Sequence, residues 1–324
     1  MTRFPDRRDL TILCAHPAYK IVDALTRRAP DLRVMGATDG EEARARLGQA
    51  DVLCVSGLWR PDWLAAAGRL RFVQSISAGV DQFDREAFRE AGVRLASAQG
   101  ANAVAVAQHA LALILALSRR LHEARDLQAK AEWIGMAKSP AARQDEVAGK
   151  TALIVGFGAI GARLGDYARA LGMRVIAVKR DVARLGGAAD EIVAVEQLNE
   201  ALPRADYVVL ACPLTARTRG LIDAAALAAM KPGAALINVA RGAVVDEAAL
   251  IAALQEGRLA RAALDCFAAE PLPPDSPLWA MRNVIVTQHV GGETRAYEDN
   301  VVDILLDNLS RLARGDRDLR NQVA

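Results

Sequence analysis

Short apolar runs alternate with amphipathic helical patterns along the whole 324-residue chain. The first runs are rich in β-branched residues and leucine and read LTILCAH, LRVMGA, DVLCVS, RFVQSIS and VRLAS. Helical segments such as EEARARLG and DREAFREAG lie between them. This alternation is typical of parallel strands joined by crossover helices. The pattern predicts one α/β unit over about residues 1–100.

A long helix is predicted next, over roughly residues 102–127, because apolar positions there are too dense for a helix with one exposed face. A second α/β unit opens with TALIVGFGAIG and continues with the strands RVIAV, YVVLAC, ALINVA, AALDCF and NVIVTQH. An amphipathic helix, RAYEDNVVDILLDNLSRLARG, comes last. The fold class is therefore α/β with two parallel sheets.

Composition narrows the class of protein. The length allows two cores, and 52% hydrophobic with 25% charged residues is globular. A net charge of +2 without a basic tail argues against nucleic acid and against an anionic membrane as partners. The longest apolar run, ALALILALS, is shorter than the roughly 20 residues that a membrane span needs. Charged residues and only a short apolar stretch lie at the start of the sequence, so a signal peptide is not expected there.

The four cysteines are Cys14, Cys54, Cys212 and Cys266. They lie far apart without a CxxC pair, so the spacing indicates neither a disulfide framework nor a zinc site. We expect small buried core residues, no bound metal and a cytoplasmic location.

A glycine-rich turn follows the first strand of the second unit. Gly156, Gly158 and Gly161 have the G-x-G-x-x-G spacing between a strand and a helix, which is the context that a dinucleotide-binding turn requires. The N–H groups of the helix start, which includes Ala159 and Ile160, favour bound phosphates. Glycines also occupy such turns for packing alone, but the flanking strands and helix favour dinucleotide binding.

Lys179 and Arg180 end the next strand, 18 and 19 residues beyond Gly161. A carboxylate there would accept hydrogen bonds from the ribose of NAD, whereas two cations suit the 2′-phosphate of NADP. Arginine occurs 35 times and lysine only 6 times, so the lysine carries more weight. The alternative is two solvated charges at a strand end. We expect NADP(H) to be favoured over NAD(H).

Reactive residues gather at the ends of the last three strands. Arg241, Asp265 and His289 each lie at such an end, and Glu270 follows five residues after Asp265. In open α/β sheets, ligands bind beyond the carboxyl ends of the strands. An arginine can hold a carboxylate by two hydrogen bonds, and a histidine supported by Glu270 can exchange a hydroxyl proton. The other histidines, among them His109 and His122 on helical patterns, are expected to have packing or surface roles.

Six motifs in this order resemble the D-isomer-specific 2-hydroxyacid dehydrogenase family over essentially the whole chain: SAGVD, GFGAIG, CPLTARTRGLI, NVARGAVVDE, ALDCFAAEPLP and TQHVGG. The resemblance implies a Rossmann cofactor domain over residues 102–290. A flavodoxin-like substrate domain, or lid, would combine residues 1–101 with residues 291–324. Substrate would bind in a cleft between the two domains, and closure would exclude water.

The same resemblance implies roles for individual residues. Arg241, Glu270 and His289 match the family's catalytic arginine, glutamate and histidine, and Asp265 matches the partner of the nicotinamide amide. The lid loop would offer the substrate Ser77, Ala78 and Gly79, together with Arg241 and His289 from the other domain. Besides the glycine turn and the residues already named, the implied cofactor contacts are Cys212, Pro213, Thr218, Val239, Ala240 and Gly291.

Three departures from the family pattern stand out. Gln288 replaces the proline that usually precedes the histidine, VAQHA replaces a helix segment that often carries an acid, and the acidic ribose contact is missing. The first puts the local turn geometry in doubt rather than the role of the histidine. Family members also pair through the cofactor domain, so a homodimer is expected.

The resemblance leaves the activity open at two points. A non-catalytic NAD(P)H-sensing protein of the same fold is the main alternative to a dehydrogenase. Oxidation of formate or phosphite is a second, although formate-oxidising relatives have glutamine at the position of Glu270. If the protein is a reductase, we expect small 2-oxo acids such as glyoxylate or hydroxypyruvate as substrates, with larger apolar 2-oxo acids as the alternative.

Overall fold

The structure is a computed structural model that describes residues 4–182 and 189–324. Twelve strands lie within these ranges and are numbered β1 to β12 in chain order. Their bounds are Thr11–Ala15, Arg33–Ala37, Val52–Val55, Phe72–Ser75, Arg94–Ala96, Thr151–Val155, Arg174–Lys179, Glu191–Ala194, Tyr207–Leu210, Ala235–Asn238, Arg261–Leu264 and Val284–Val286.

Eleven α-helices are described in the same ranges and are numbered α1 to α11. Their bounds are Ile21–Arg28, Gly40–Leu47, Trp63–Ala66, Arg85–Glu90, Ala103–Ser118, Leu121–Ala129, Ala159–Ala170, Leu198–Ala201, Ala224–Ala229, Glu247–Gln255 and Tyr297–Arg314. Aspartates cap several of them: the carboxylates of Asp39, Asp84, Asp223 and Asp246 each accept from an N–H in the first turn.

The chain separates into two compact units. The split unit comprises Met1–Asn102 and Glu293–Ala324, and the central unit comprises Ala103–Gly292. Each contains its own parallel sheet, so two doubly wound α/β sheets are confirmed as the fold class.

The split unit is built on the sheet β2-β1-β3-β4-β5. Side chains alternate between its two faces, as strand geometry requires. Helices α1 and α11 cover one face, where Ile12, Val52 and Phe72 meet Val301 and Leu305. Helices α2, α3 and α4 cover the other face. The chain after α11 continues the sheet: Gln322 forms an antiparallel bridge to Ala96, and the N–H of Leu95 donates to the carbonyl of Ala324.

The central unit is built on the sheet β12-β11-β10-β9-β6-β7-β8, in which every pair is parallel. Helices α5 and α7 pack on one face and α8, α9 and α10 on the other. Strands β6 and β9 are neighbours, although two strands separate them in the chain. The strand order therefore reverses between β6 and β9, which is where open sheets bind ligands.

The single helix predicted over residues 102–127 is wrong in one respect. Helix α5 ends at Ser118, and α6 begins at Leu121 with its axis turned by 70°. Arg120 has a left-handed backbone (φ 50°) at the break, and the Ser118 hydroxyl donates to the carbonyl of Leu115. In the described residues no single helix is long and apolar enough to cross a membrane; only this bent pair reaches that length and composition together.

Candidate active site

The glycine turn connects β6 to α7 at the point where the strand order reverses. Gly156 has φ +92°, and a Cβ there would lie 2.6 Å from the Cα of Cys212, beyond the end of β9. A Cβ at Gly161 would lie 2.2 Å from the carbonyl oxygen of Gly156. Packing against the neighbouring strand end and against the turn itself therefore excludes side chains at both positions.

Gly158 differs from these two glycines, because a Cβ there would meet no protein atom within 4 Å. The residue is exposed and precedes the first turn of α7, which contains Ala159 and Ile160. The N–H groups of a first helical turn have no partner within the helix, and they carry the positive end of the helix dipole. The turn thus presents open backbone and N–H donors, as a bound pyrophosphate needs.

Lys179 is the last residue of β7, and Arg180 follows it at the same carboxyl edge of the sheet. The lysine is half-buried and the arginine is exposed. Two cations therefore stand at the end of the strand next to the glycine turn, since β7 pairs directly with β6. In folds of this type, the end of the strand next to the glycine turn is where the ribose of a dinucleotide, or its 2′-phosphate, is bound.

Arg241 follows β10 in an extended conformation and is half-buried. The buried Asn238 holds its backbone: the amide Nδ2 donates to the carbonyl of Arg241, and the Oδ1 accepts from the N–H of Ala240. Gly242 then lies against the chain after β11, where a Cβ would be only 1.9 Å from the carbonyl group of Phe267. The loops after β10 and β11 are therefore in direct backbone contact.

Glu270 and His289 are hydrogen bonded at this edge. The Nδ1 of His289 lies 2.8 Å from the Oε2 of Glu270, while the Oε1 of Glu270 accepts from the N–H of Phe267 at 3.0 Å. His289 has a left-handed backbone (φ 54°), a conformation that non-glycine residues rarely adopt outside constrained sites. Both side chains are about 40% exposed, so they are held in place yet open to a reactant.

Asp265 accepts hydrogen bonds from residues on both sides of His289. Its Oδ1 accepts from the hydroxyl of Thr287 at 2.6 Å and from the N–H of Val290 at 3.0 Å. Its Oδ2 accepts from the N–H of Gly291 at 3.0 Å. Burial raises the pKa of this carboxyl, but the hydrogen bonds and the nearby His109 outweigh burial and hold the pKa below its usual value.

His109 completes this network and was missed by sequence reasoning, which gave it only a packing or surface role. Its Nε2 lies 3.0 Å from the Thr287 hydroxyl and 3.4 Å from the Oδ1 of Asp265. Because the Thr287 hydroxyl donates to Asp265, it accepts from the imidazole. Helix α5 therefore contributes a polar contact to the loop after β12.

The remaining predicted contacts fall into two groups. Cys212, Pro213, Thr218, Val239 and Ala240 lie in the segments after β9 and β10 of the central unit. The Thr218 hydroxyl donates to the carbonyl of Pro213, so it braces its own loop. Ser77, Ala78 and Gly79 lie in the split unit, in the turn after β4, where the hydroxyls of Ser77 and Ser56 are hydrogen bonded. Their part in binding stays a prediction.

All four cysteines are buried, as the sequence predicted. One of them, Cys266, is part of a cluster at the site: its Sγ and one ligand atom each of Glu270 and His289 lie within 4.8 Å of one another. Spacing did not reveal this cluster, because the three residues are contributed by two separate loops.

A sequence profile of the D-isomer specific 2-hydroxyacid dehydrogenases, for their NAD binding domain, matches residues 111–291, more than half of the chain. The chain belongs to this family. The similarity in fold includes both units of the chain. The crystal structure of a D-isomer specific 2-hydroxyacid dehydrogenase family protein from Aeromonas salmonicida is 30% identical, with a TM-score of 0.86, and the match covers 98% of this chain and 99% of that one.

Two further relatives carry more specific names. A D-3-phosphoglycerate dehydrogenase of Methanocaldococcus jannaschii is 32% identical over 94% of the chain and 58% of its own length, so the chain spans less than two thirds of that enzyme. An NADPH-dependent glyoxylate/hydroxypyruvate reductase of Sinorhizobium meliloti, solved with NADP and malonate, is 25% identical. Its TM-score is 0.79, and the match covers 98% of this chain and 97% of that one.

Proposed function

We propose that the protein reduces a small 2-oxo acid to the D-2-hydroxy acid with NAD(P)H. The observation that carries the proposal is the exposed Glu270–His289 pair, with its 2.8 Å contact, at the carboxyl edge of the sheet that bears the glycine turn. Bound nicotinamide supplies the hydride for the carbonyl carbon. The protein has to hold the acid, orient its carbonyl and deliver one proton.

In this proposal Arg241 holds the substrate carboxylate. A guanidinium binds a carboxylate through two parallel hydrogen bonds, which also fixes the direction of the adjoining carbonyl. The contact of Gly242 with Phe267 supports the role, because it ties the arginine loop to the loop of Glu270. Backbone N–H groups of Ala78 and Gly79, in the turn that begins at Ser77, are the proposed lid contacts to the same carboxylate.

His289 is the proposed proton donor. Its Nδ1 faces Glu270, which leaves the Nε2 for the substrate oxygen. A neighbouring carboxylate stabilises the imidazolium, the form that can give up a proton as hydride arrives. We assign Asp265 and the nearby Gly291 to the nicotinamide side of the site, where the buried carboxylate keeps the loop of residues 287–291 in place.

The first experiment separates this enzyme from a sensor of the same fold. Glyoxylate, hydroxypyruvate, 3-phosphohydroxypyruvate and larger apolar 2-oxo acids are offered under saturating NADPH and then NADH, and absorbance is followed. We expect turnover of the small acids, and a loss of about 100-fold or more in kcat/KM in Arg241→Lys with dinucleotide binding retained. Tight dinucleotide binding without turnover of any acid would favour the sensor.

The cofactor is proposed to be NADP(H) in preference to NAD(H). Lys179 and Arg180 at the end of β7 support this, as does the NADP bound by the S. meliloti relative. Each charge-assisted hydrogen bond to the 2′-phosphate is worth roughly 1.5–3 kcal/mol before exposure is discounted. The expected preference is therefore on the order of 10- to 1,000-fold, falling as salt rises.

The double variant Lys179→Asp, Arg180→Ala tests the cofactor assignment. It removes both cations and restores a ribose acceptor, so the NADPH/NADH ratio of kcat/KM should fall and NADH efficiency should rise. Arg169→Ala, on α7, removes an exposed cation that pairs with Asp190 and serves as the control. A wild-type ratio near one, or an unchanged ratio in the double variant, would place cofactor choice elsewhere.

A cytoplasmic homodimer is the proposed state. Five of the eight large apolar side chains that are exposed among the described residues lie between positions 104 and 136; they are Val104, Leu121, Trp133, Ile134 and Met136. An apolar concentration of this kind is typical of a protein interface. Light scattering at micromolar concentration should give about twice the chain mass of 34.6 kDa, and Trp133→Glu with Met136→Glu should lower it.

A further inference from the structure

Cys266 stands beside the catalytic pair without a role in the proposed reaction. It follows Asp265 directly after β11, and its side chain is buried with only 3% of the residue exposed. Its Sγ, a Glu270 carboxylate oxygen and a His289 ring nitrogen all lie within 4.8 Å of one another. A sulfur, a nitrogen and an oxygen donor therefore converge on one point.

This donor set matches the chemistry of zinc. Zn²⁺ binds thiolate, imidazole and carboxylate at about 2.0–2.3 Å, and sites open to small molecules have three protein ligands with a fourth position for water. Two ligand atoms of one tetrahedral Zn²⁺ lie roughly 3–4 Å apart. The three donor atoms here all lie within 4.8 Å of one another, so at most a small movement of side chains is needed to bring them to one ion. Glu270 and His289 are partly exposed, which gives an ion a path to the buried sulfur.

We propose that Cys266, Glu270 and His289 bind Zn²⁺ and that the bound ion inhibits the enzyme. On binding, the Cys266 thiol gives its proton to solvent, and the Glu270–His289 hydrogen bond is replaced by two bonds to the ion. His289 then cannot act as the imidazolium donor. The binding site rests on geometry alone, whereas the inhibition also rests on the proposed reductase function.

The surroundings of the site favour reversible binding. An incoming ion has to displace the proton of the Cys266 thiol, which weakens binding relative to a preformed thiolate. The other two ligands, Glu270 and His289, are partly exposed, so a chelator can reach the ion. The inhibition is therefore expected to be reversible by a chelator.

Co²⁺ provides a readout that does not depend on activity. Bound to a thiolate, it gives a near-ultraviolet charge-transfer band that a carboxylate or imidazole alone does not produce. We expect this band in the wild-type protein, its loss in Cys266→Ala and Cys266→Ser, and its retention in Cys54→Ala, which removes a buried thiol of the split unit. Two different replacements of Cys266 are used so that the result does not depend on a single variant that fails to fold. No band in the wild type, or a band that survives in both Cys266 variants, would overturn the site.

Inhibition is measured with Zn²⁺ in the reductase assay. Removing one direct ligand should raise the half-inhibiting concentration at least about 10- to 100-fold in Cys266→Ala, while EDTA restores wild-type activity. Equal zinc sensitivity of wild type and Cys266→Ala, with the cobalt band lost, would refute the inhibitory consequence while leaving the metal site. A cobalt band in a protein that reduces no 2-oxo acid would instead count against the reductase proposal alone.

Discussion

The central unit contains two contacts between a carboxylate and an imidazole, and their surroundings differ. Asp265 and His109 lie 3.4 Å apart, with side-chain exposures of 4% and 21%. Glu270 and His289 lie 2.8 Å apart, with exposures of 37% and 43%. The same two functional groups thus form one contact inside the protein and one at its surface.

Burial gives the two carboxylates different roles. Both oxygens of the buried carboxylate accept hydrogen bonds, from the Thr287 hydroxyl and from the backbone N–H groups of Val290 and Gly291. The exposed carboxylate keeps one oxygen on Phe267 and offers the other to an imidazole that a reactant can reach. The Asp265–His109 pair therefore positions the loop after β12, whereas the Glu270–His289 pair is available for proton transfer.

Replacing His289 by asparagine should give the largest effect. Asparagine tolerates the left-handed backbone at this position but cannot donate a proton in the same way. General acid catalysis is worth about 10²- to 10⁴-fold, so kcat for 2-oxo acid reduction should fall by that factor while NADPH still binds. His122→Asn, on α6, is the matched control. Activity within threefold of wild type would remove His289 from the reaction.

Asp265→Asn should have the next largest effect, this time on folding. The amide cannot accept all of the hydrogen bonds that the carboxylate accepts, so the free energy of unfolding near neutral pH should drop by about 1–3 kcal/mol. Because the folded protein holds the pKa of Asp265 below its usual value, the carboxylate stabilises the fold at neutral pH, and this contribution disappears as pH falls through the lowered pKa.

Urea unfolding of wild type and Asp265→Asn, measured at neutral and at acid pH, checks this prediction. The difference in unfolding free energy should be large at pH 7 and shrink below about pH 4, where the unfolded carboxyl is already protonated. A difference that is absent, or that is the same at both pH values, would contradict the role of the buried charge.

Glu270→Gln should shift the pH dependence of reduction. Reduction needs the imidazolium, and the rate falls as pH rises and the proton is lost. Without the negative charge the imidazolium is less stable, so the variant should be slower on the alkaline side, with little change on the acid side. Glu247→Gln, whose carboxylate binds the N–H of Ala268, is the control. Superimposable profiles would disprove the pairing.

His109→Gln should give the smallest effect. The amide can donate to the Thr287 hydroxyl from a similar position, so stability should change by about 1 kcal/mol or less. Hydrogen exchange at Val290 and Gly291 should quicken modestly, whereas the pH profile of reduction should keep its shape. A profile shifted as much as in Glu270→Gln would mean that the two pairs are not separate in function.

The sequence predicted most strands and located the residues of the candidate site at strand ends, because both carry local signals. Apolar runs mark buried strands, and a reactive residue at a strand end marks the carboxyl edge. His109 gave no such signal, because its partners Thr287 and Asp265 are more than 150 positions away and only the packing of α5 brings them together. The positions of the loops at the candidate site depend on long-range contacts of this type, which the local sequence does not reveal.

Two errors of the fold prediction have local causes. Nothing in the sequence near Arg120 breaks a helix, since neither glycine nor proline is present there, so the left-handed residue that separates α5 from α6 could not be foreseen. Strand β8 was missed because it has four residues and only one of them is buried. An edge strand with a partly polar sequence lacks the run of apolar residues by which a central strand is recognised.

The division of the split unit has a consequence for synthesis on the ribosome. Helix α11 supplies Val301, Ile304 and Leu305 to the same core as Ile12 and Phe72, which lie more than two hundred positions earlier. The first hundred residues leave the ribosome long before that helix exists, and they present an uncovered sheet face in the meantime. The central unit is continuous and can fold as soon as it emerges. The split unit therefore becomes stable only after α11 has been made, although its first strands are translated before the central unit.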